Sequence, residues 1–303
     1  MIRPRTPRGI QLGEFLTTRR RAQSRAALGL PPGTRRSEVG LSREEVATLA
    51  GMSVSWYTWL EQGREINASR QVLTAVARVL RLTDSEAEYV FALAGPGGTS
   101  VAPLPDAAPR HLLNLIRAMD FPAFILTSDW TIVGWNPGYE WLYGPIATLP
   151  PEDRNLLRLI YTDTRIRELL PSWERDSRNF LAEFRADSGV RLSSERHREL
   201  VDTLKLESDD FRAQWAEHAV GRFTSRTRTF VHPTAGELVF EHHRLVPSDA
   251  PELHVVMYAP VAAQDPAQDP AQEPAQEPAQ ELRQDPAQEP AQPGEGSARE
   301  GKR

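Results

Sequence analysis

The chain has 303 residues, 40% of them hydrophobic, a formal net charge of −5 and no cysteine. This length supplies cores for two ordinary domains, and the missing cysteines exclude disulfides, thiolate metal sites and cysteine nucleophiles. No apolar run approaches the roughly 18 residues of a membrane span, and the basic start MIRPRTPRGIQLGEF has no apolar h-region after it, so a cytoplasmic protein without anchor or secretory signal is expected.

The net charge hides an uneven distribution. Residues 1–82 carry fourteen arginines against six glutamates, a balance of +8, whereas 263–303 carry nine acids and four bases. A basic head on an acidic protein points to a polyanionic partner for the head.

In chain order, the first helix is expected from Leu12-Gly13-Glu14-Phe15-Leu16 through the run Arg19-Arg20-Arg21. LSREEVATLAG follows, with Ser42 three residues before Glu45 as a capping box and an apolar stripe of Leu41, Val46, Leu49 and Ala50. Gly51 closes that helix with the residue best suited to a left-handed turn. A further helix, capped by Ser53, runs to about Gln62 before Gly63. Two short helices joined by a tight glycine turn form the helix-turn-helix pattern.

On a helical wheel Tyr57 and Leu60, with Trp56 beside them, fall on the core side. The opposite side carries Ser55, Thr58, Trp59 and Gln62, with Val54 at its edge and Ser53 at the N-terminus. Short hydroxylic and apolar side chains let a helix approach a major groove and meet base edges, phosphates or thymine methyls. No arginine or asparagine lies on that front, so affinity is expected to lean on Arg35, Arg36, Arg43 and Arg64 and to fall steeply with salt. Two more helices complete a five-helix, all-α module: RQVLTAVARVL, capped by Ser69, and SEAEYVFALAG, capped by Asp84 or Ser85. GPGGTSVAPLPDAAP (95–109) then marks a linker by its glycine and proline density.

The second module mixes element types. FPAFILT and TIVGW read as a hairpin around Ser128-Asp129-Trp130, and Asn136-Pro137 opens a helix holding Trp141, Leu142 and Tyr143. Helical segments follow in RNLLRLIYTD, TRIRELLPSWERDSRNFLAEFRADSG, SSERHRELVDTLKLES and DDFRAQWAEHAV. A second hairpin around PTAGE, with His232 serving its turn, and the strand LHVVMYAPV end the module. That order is α+β. The final stretch repeats Pro, Ala, Gln and an acid every four residues, which predicts an extended, disordered tail.

Enzyme chemistry finds little support. There is no phosphate-binding glycine loop and no Gly-x-Ser-x-Gly elbow. His242 and His243 follow Glu241, but neighbours on a strand point to opposite faces and so cannot share one ion. Neither catalysis, a cofactor nor a metal is expected.

LSREEVATLAGMSVSWYTWLEQGR resembles the helix-turn-helix of the xenobiotic-response-element (XRE), or Cro/repressor-type, transcriptional regulators. GTRRSEVGLSREEVATLAG, with its longer arginine-rich run between first and second helices, resembles their MmyB-like branch. In most members of the wider family the matches of Val54 and Trp59 are polar and read bases; both are apolar here. The hairpin followed by Trp135-Asn136 and a short helix resembles the opening of PAS domains, which wrap helices across a five-stranded antiparallel sheet. RNLLRLIYTDTRIRELLPSWE, FRAQWAEHAV and FVHPTAGELVFEHHRL resemble the MmyB-like ligand-binding domain, with Thr164 standing where proline is commoner.

The resemblance implies a helix-turn-helix DNA-binding domain over 10–94, a linker over 95–108, a PAS-like ligand-binding domain over 109–261 and a tail over 262–303. It further implies a bacterial regulator that senses a small apolar, fatty-acid-like ligand. Phe124, Leu126, Trp135, Trp141, Leu157, Ile160, Trp173, Phe180, Phe184, Phe211 and Trp215 could line its cavity, although a large apolar side chain at helical spacing is more often plain core. A homodimer would set two recognition helices about 34 Å apart on a palindromic double-stranded operator. The other reading is a protein-interaction adaptor whose helix-turn-helix no longer meets DNA, which the apolar front of that helix keeps open.

Overall fold

The computed structural model describes residues 5–31, 40–64, 66, 68–95, 104–188 and 194–261. Arg35, Arg36, most of the expected linker and the whole expected tail lie outside the described residues.

Among the described residues five α-helices build the N-terminal part: α1 (Pro7–Ala22), α2 (Arg43–Leu49), α3 (Val54–Glu61), α4 (Arg70–Val79) and α5 (Asp84–Ala94). α1 begins upstream of the apolar run, because the Thr6 hydroxyl accepts from Gly9 N at 3.1 Å and Pro7 sits in the first turn, where its missing N–H costs nothing. The Ser42/Glu45 capping box forms in both directions, Glu45 N to Ser42 Oγ at 3.1 Å and Ser42 N to Glu45 Oε2 at 2.8 Å. Ser53 caps α3 and Ser69 caps α4. The cap of α5 is Thr83, one residue before the expected Asp84 or Ser85, since Glu86 lies three residues after Thr83 and closes a second capping box.

Leu12, Phe15, Leu16, Val46, Tyr57, Leu60, Val76, Tyr89 and Val90 fill the core of this bundle. α1 and the end of α3 approach backbone to backbone. A Cβ on Gly13 would stand 2.1 Å from the Glu61 carbonyl, and Gly63, at φ +71°, would collide with Gly9. Leu60, Glu61 and Gly63 of the Leu-Glu-x-Gly phrase are therefore structural. Leu60 packs inward, Glu61 forms ion pairs, and Gly63 turns the chain against α1.

The C-terminal part opens with α6 (Arg110–Arg117), then β1 (Ala123–Thr127), β2 (Ile132–Trp135), α7 (Pro137–Tyr143), α8 (Leu156–Thr162), α9 (Thr164–Leu169), α10 (Trp173–Ser188), α11 (Glu195–Glu207), α12 (Asp209–Ala216), β3 (Arg226–His232), β4 (Gly236–Leu245) and β5 (Leu253–Pro260). The strands form one antiparallel sheet in the order β2-β1-β5-β4-β3. The expected TRIRELLPSWERD segment is interrupted at Leu170-Pro171-Ser172, so α9 and α10 are separate helices.

Alternation along the strands divides the two faces. Phe124, Leu126, Val256 and Tyr258 join a large core with α7–α12, whereas Ala123, Ile125, Leu253 and Val255 pack with Leu112 and Ile116 of α6. α6 is a helix that the sequence reading passed over. Asn136 ties the two ends of this arrangement together. Its side chain accepts from Ala123 N and Tyr139 N, both at 3.0 Å, and donates to the carbonyls of Ile116, Met119 and Phe121.

The segment between α12 and β3 rests on the helical bundle. Val220 packs against the bundle core, the His218 carbonyl accepts from Arg19 Nη2 at 2.9 Å, and Arg222 pairs with Glu88.

Candidate functional site

The outward face of α3 has the division expected from the wheel. Tyr57 and Leu60 are buried and Trp56 is half-buried against the bundle core; Ser53, Val54, Ser55 and Trp59 are exposed, and Thr58 and Gln62 are intermediate. Trp59 is 41% exposed, and Leu49 at the end of α2, expected in the apolar stripe of that helix, is exposed as well. Ser53 caps the N-terminus of the helix, which carries a partial positive charge suited to a phosphate oxygen.

The arginines around this helix have different duties. Arg43 reaches Glu61 Oε2 at 2.6 Å, with its side chain 43% exposed, so a good part of its charge is spent within the bundle. Arg64 is half-buried and its backbone bridges to Arg5. Arg20 completes the cluster, giving Glu61 two hydrogen bonds and Leu41 O a third at 2.6 Å. Burial alone would raise the Glu61 carboxyl pKa, but the Arg20 and Arg43 hydrogen bonds outweigh it and hold it below the usual carboxylate range.

In the C-terminal part, Phe124, Leu157, Ile160, Trp173, Phe180, Phe184, Phe211 and Trp215 come together in one buried core, with Leu126 among them and Trp135 packed against it. Trp141 is set apart. It is 48% exposed and stacks on His232 at 4.5 Å, which in turn accepts from Ala235 N through Nδ1 and donates to the Trp141 carbonyl through Nε2. His232 thus serves the hairpin turn. Trp135 also faces a cleft of about 710 Å³ between β2, the 151–155 loop and α11, whose rim carries Arg154, Arg158 and Arg196.

Polar side chains share the buried sheet face, Arg226, Arg228 and Tyr258 among them being absent from the sequence reading. Arg226, Arg228, Phe230 and His232 have the same parity on β3, and the complete burial of Phe230 puts all four on the inner side. Arg228 stacks on Phe180, with its guanidinium carbon 4.0 Å from the ring centroid. Tyr143 and Tyr258 share a 2.8 Å hydroxyl hydrogen bond, and Tyr258 stacks on His242. His242 is buried and His243 half-exposed, so the adjacent pair divides between the two faces. Among the described residues no cluster of three or more His, Asp or Glu could hold a metal ion.

His197 gives this core an acid weakness. It is buried flat against Phe184 at 5.2 Å with no partner on either ring nitrogen among the described residues, and burial lowers its pKa to about 4. The unfolded chain, with an ordinary imidazole, takes up the proton first, so stability is complete above about pH 6.5 and is lost as pH falls toward 4. The loss expected from this residue by pH 4.5 is about 2–3 kcal/mol. Urea unfolding of His197→Leu at pH 7.5 and 4.5 should show a flatter pH dependence; an unchanged slope would assign the acid sensitivity elsewhere.

Comparison with known families now bears on both parts. Residues 11–90 match a helix-turn-helix domain model, and residues 108–273, more than half of the chain, match the MmyB-like transcription regulator ligand binding domain. The chain belongs to the MmyB-like transcription regulators. Among curated proteins none matches it. As an MmyB-like regulator it is a DNA-binding transcription regulator, with α2 and α3 inside the helix-turn-helix match and the sheet and its helices inside the ligand-binding match. No helix among the described residues of this MmyB-like chain is long and apolar enough to cross a membrane.

Proposed function

We propose that this MmyB-like regulator binds a palindromic operator as a cytoplasmic homodimer, through Ser53, Val54, Ser55, Thr58, Trp59 and Gln62 of α3. Arg35, Arg36, Arg43 and Arg64 supply phosphate contacts in this reading, and a small apolar, fatty-acid-like ligand within the sheet domain sets the response. The observation that carries it is the outward face of α3, short and hydroxylic with one exposed tryptophan, standing on a buried apolar back. A helix of that shape can enter a major groove closely enough for Trp59 to cover a thymine methyl or a sugar. The segment from His218 to Arg222, seated on α1 and α5, offers a route by which a change around the ligand alters the spacing of paired recognition helices. A ligand can do so only if it prefers one arrangement.

Gel shift against the regulator's own upstream region tests the DNA half. We expect a shift at low salt that weakens steeply at moderate salt, a drop of about tenfold or more for Arg35→Ala/Arg36→Ala, and a comparable loss for Trp59→Ala. No shift at low salt, or a shift indifferent to all these changes, would sink it. The exposed apolar side chains Leu49, Val54 and Trp59 favour a second reading in that event, an adaptor that docks a protein there.

A further inference from the structure

α10 stands between the two parts of the molecule. Phe180 and Phe184 point from it into the buried core of the sheet domain. Ala182 and Ala186 lie on another face of the helix, roughly opposite at about 100° per residue. On that side the Ala182 carbonyl accepts from Gly221 N at 3.1 Å, and Ala186 shares a cleft with Ser85 and Tyr89 of α5. One helix therefore meets the sheet-domain core with one face and the helical bundle with the other.

The contact with the bundle runs through a strap, residues 217–223, between α12 and β3. Arg185 clamps the strap to α10. It is 1% exposed, and its two terminal nitrogens donate to the carbonyls of Trp215 and Ala219, both at 2.7 Å. Its guanidinium carbon lies 4.3 Å from the Trp215 ring centroid. These hydrogen bonds go to backbone carbonyls and to no carboxylate among the described residues. The last turn of a helix carries partial negative charge on its carbonyls, and the end of α12 holds the cation there in place of a counter-ion. A guanidinium does not lose its proton in a protein, so lifting the strap would strand a buried charge.

The other side of the strap is seated on the bundle. Val220 packs against the bundle core, the His218 carbonyl accepts from Arg19 Nη2 at 2.9 Å, and Arg222 pairs with Glu88 of α5. Arg19 also pairs with Glu86 at 2.6 Å, which ties α1 to α5 beside the same point. His218 turns the strap in the left-handed region, at φ +51°. Burial, then Arg185, Arg19 and Lys205, pushes its pKa down to about 4, so the imidazole adds no further positive charge there. Clefts of about 400 Å³ beside His218 and about 410 Å³ beside Arg222 open at the two ends of the strap, so the joint is narrow.

We propose that Arg185 is a positioning residue for regulation: by clamping the strap to α10 it fixes the bundle against the sheet domain and carries a displacement of Phe180 and Phe184 to α1 and α5. The inference rests on the reading of this chain as a ligand-responsive regulator and names the side chain through which the response passes.

The chain has no cysteine. Arg78→Cys on α4 and Glu237→Cys on β4, both at exposed positions, therefore give full-length protein two unique sites for nitroxide labels. Double electron–electron resonance then reads the distance between the two parts. We expect one narrow distribution in otherwise wild-type protein, and one about twice as wide in Arg185→Met, because modules joined by a small interface move relative to one another. Hydrogen-exchange protection of β1 and β5 should be unchanged in that variant, since methionine keeps apolar packing against Trp215 and loses only the carbonyl contacts. Phe184→Leu should move the centre of the wild-type distribution by about 1–2 Å, the scale of helix shifts at packed interfaces. In Arg185→Met the same substitution should move nothing. Val220→Ser frees the strap from the bundle side and should broaden the distribution without touching the sheet domain, which keeps the test decisive if Arg185→Met loses its protection. A distribution as narrow as wild type in Arg185→Met, or in Val220→Ser where the first does not fold, overturns the clamp. So does a broad distribution in wild type, or a centre that ignores Phe184→Leu. None of these outcomes bears on operator binding, which the gel shift reads separately.

Discussion

Replacing Glu61 with alanine should unfold the helix-turn-helix, at a cost of about 3–5 kcal/mol, the range for removing one member of a buried ion pair. The side chain is fully buried and its two oxygens receive Arg20 of α1 and Arg43 at the start of α2, so one carboxylate holds three helices in register. Without it Arg20, itself buried, keeps only its hydrogen bond to the Leu41 carbonyl. Arg43→Ala should cost less than about 1 kcal/mol, because much of that side chain is already in water. Since the Glu61 pKa is lowered on folding, its contribution is present above the ordinary glutamate range and disappears as pH falls through its folded value. Urea unfolding of the three proteins at pH 7 checks the ranking. A Glu61→Ala midpoint close to that of Arg43→Ala would show that the buried pair does not hold the helices.

The second large effect is expected at Asn136, which is 1% exposed. Its amide makes two accepted and three donated hydrogen bonds, joining the end of α6, the start of β1 and the first turn of α7. Alanine would take the side-chain partner from Ala123 N and from the Met119 and Phe121 carbonyls, while Tyr139 N and the Ile116 carbonyl keep backbone partners; with each unsatisfied group costing about 1–3 kcal/mol before relaxation, a net loss of about 3 kcal/mol or more is expected. Aspartate separates this from simple helix capping. As a cap it is as good as asparagine, but it would aim a carboxylate at the carbonyls of Ile116, Met119 and Phe121. Asn136→Asp should therefore be no better than Asn136→Ala in thermal melts, whereas near-wild-type behaviour of the aspartate variant would reduce Asn136 to a cap.

Much of the bundle was legible because its signals are local. A serine three residues before a glutamate, a glycine after the last apolar position and apolar spacing along one face each depend on a few neighbouring residues. Those signals located α2, α3 and α4. They failed by one residue at Thr83, where three possible caps stand in a row and only the reach of Glu86 decides among them. α6 was missed for a related reason: it follows directly on a proline-rich stretch, and its pairing of Leu112 with Ile116 is brief.

Legibility falls where long-range contacts decide. Nothing local to TRIRELLPSWE reveals how its two halves part at Leu170-Pro171 beyond the proline itself. Arg43 read as a free surface charge, because Glu61 lies eighteen positions away and reaches it only through the fold. Arg226 and Arg228 alternate with threonines and so resemble an outward row. Their parity with Phe230 was the one usable sign that the row points in. The aromatic residues proposed as ligand lining could be recognised as apolar, but only the packing distinguishes a core member such as Phe211 from an exposed one such as Trp141.

The strand order has a further consequence for how the molecule is made. β1 lies between its own hairpin partner β2 and β5, so Phe124 pairs with Trp135 from nearby in the chain and with Val256 from the far end of the domain. During synthesis the bundle, whose contacts lie largely within one short stretch of chain, can fold as soon as α5 leaves the ribosome. The sheet cannot close until β5 has been made, and long-range strand pairing is intrinsically slow. A nascent chain therefore passes through a period with a DNA-reading module complete and its sensor still open. Any product cut short before Leu253 would stay in that condition, with the inner edge of β1 unpaired and prone to association.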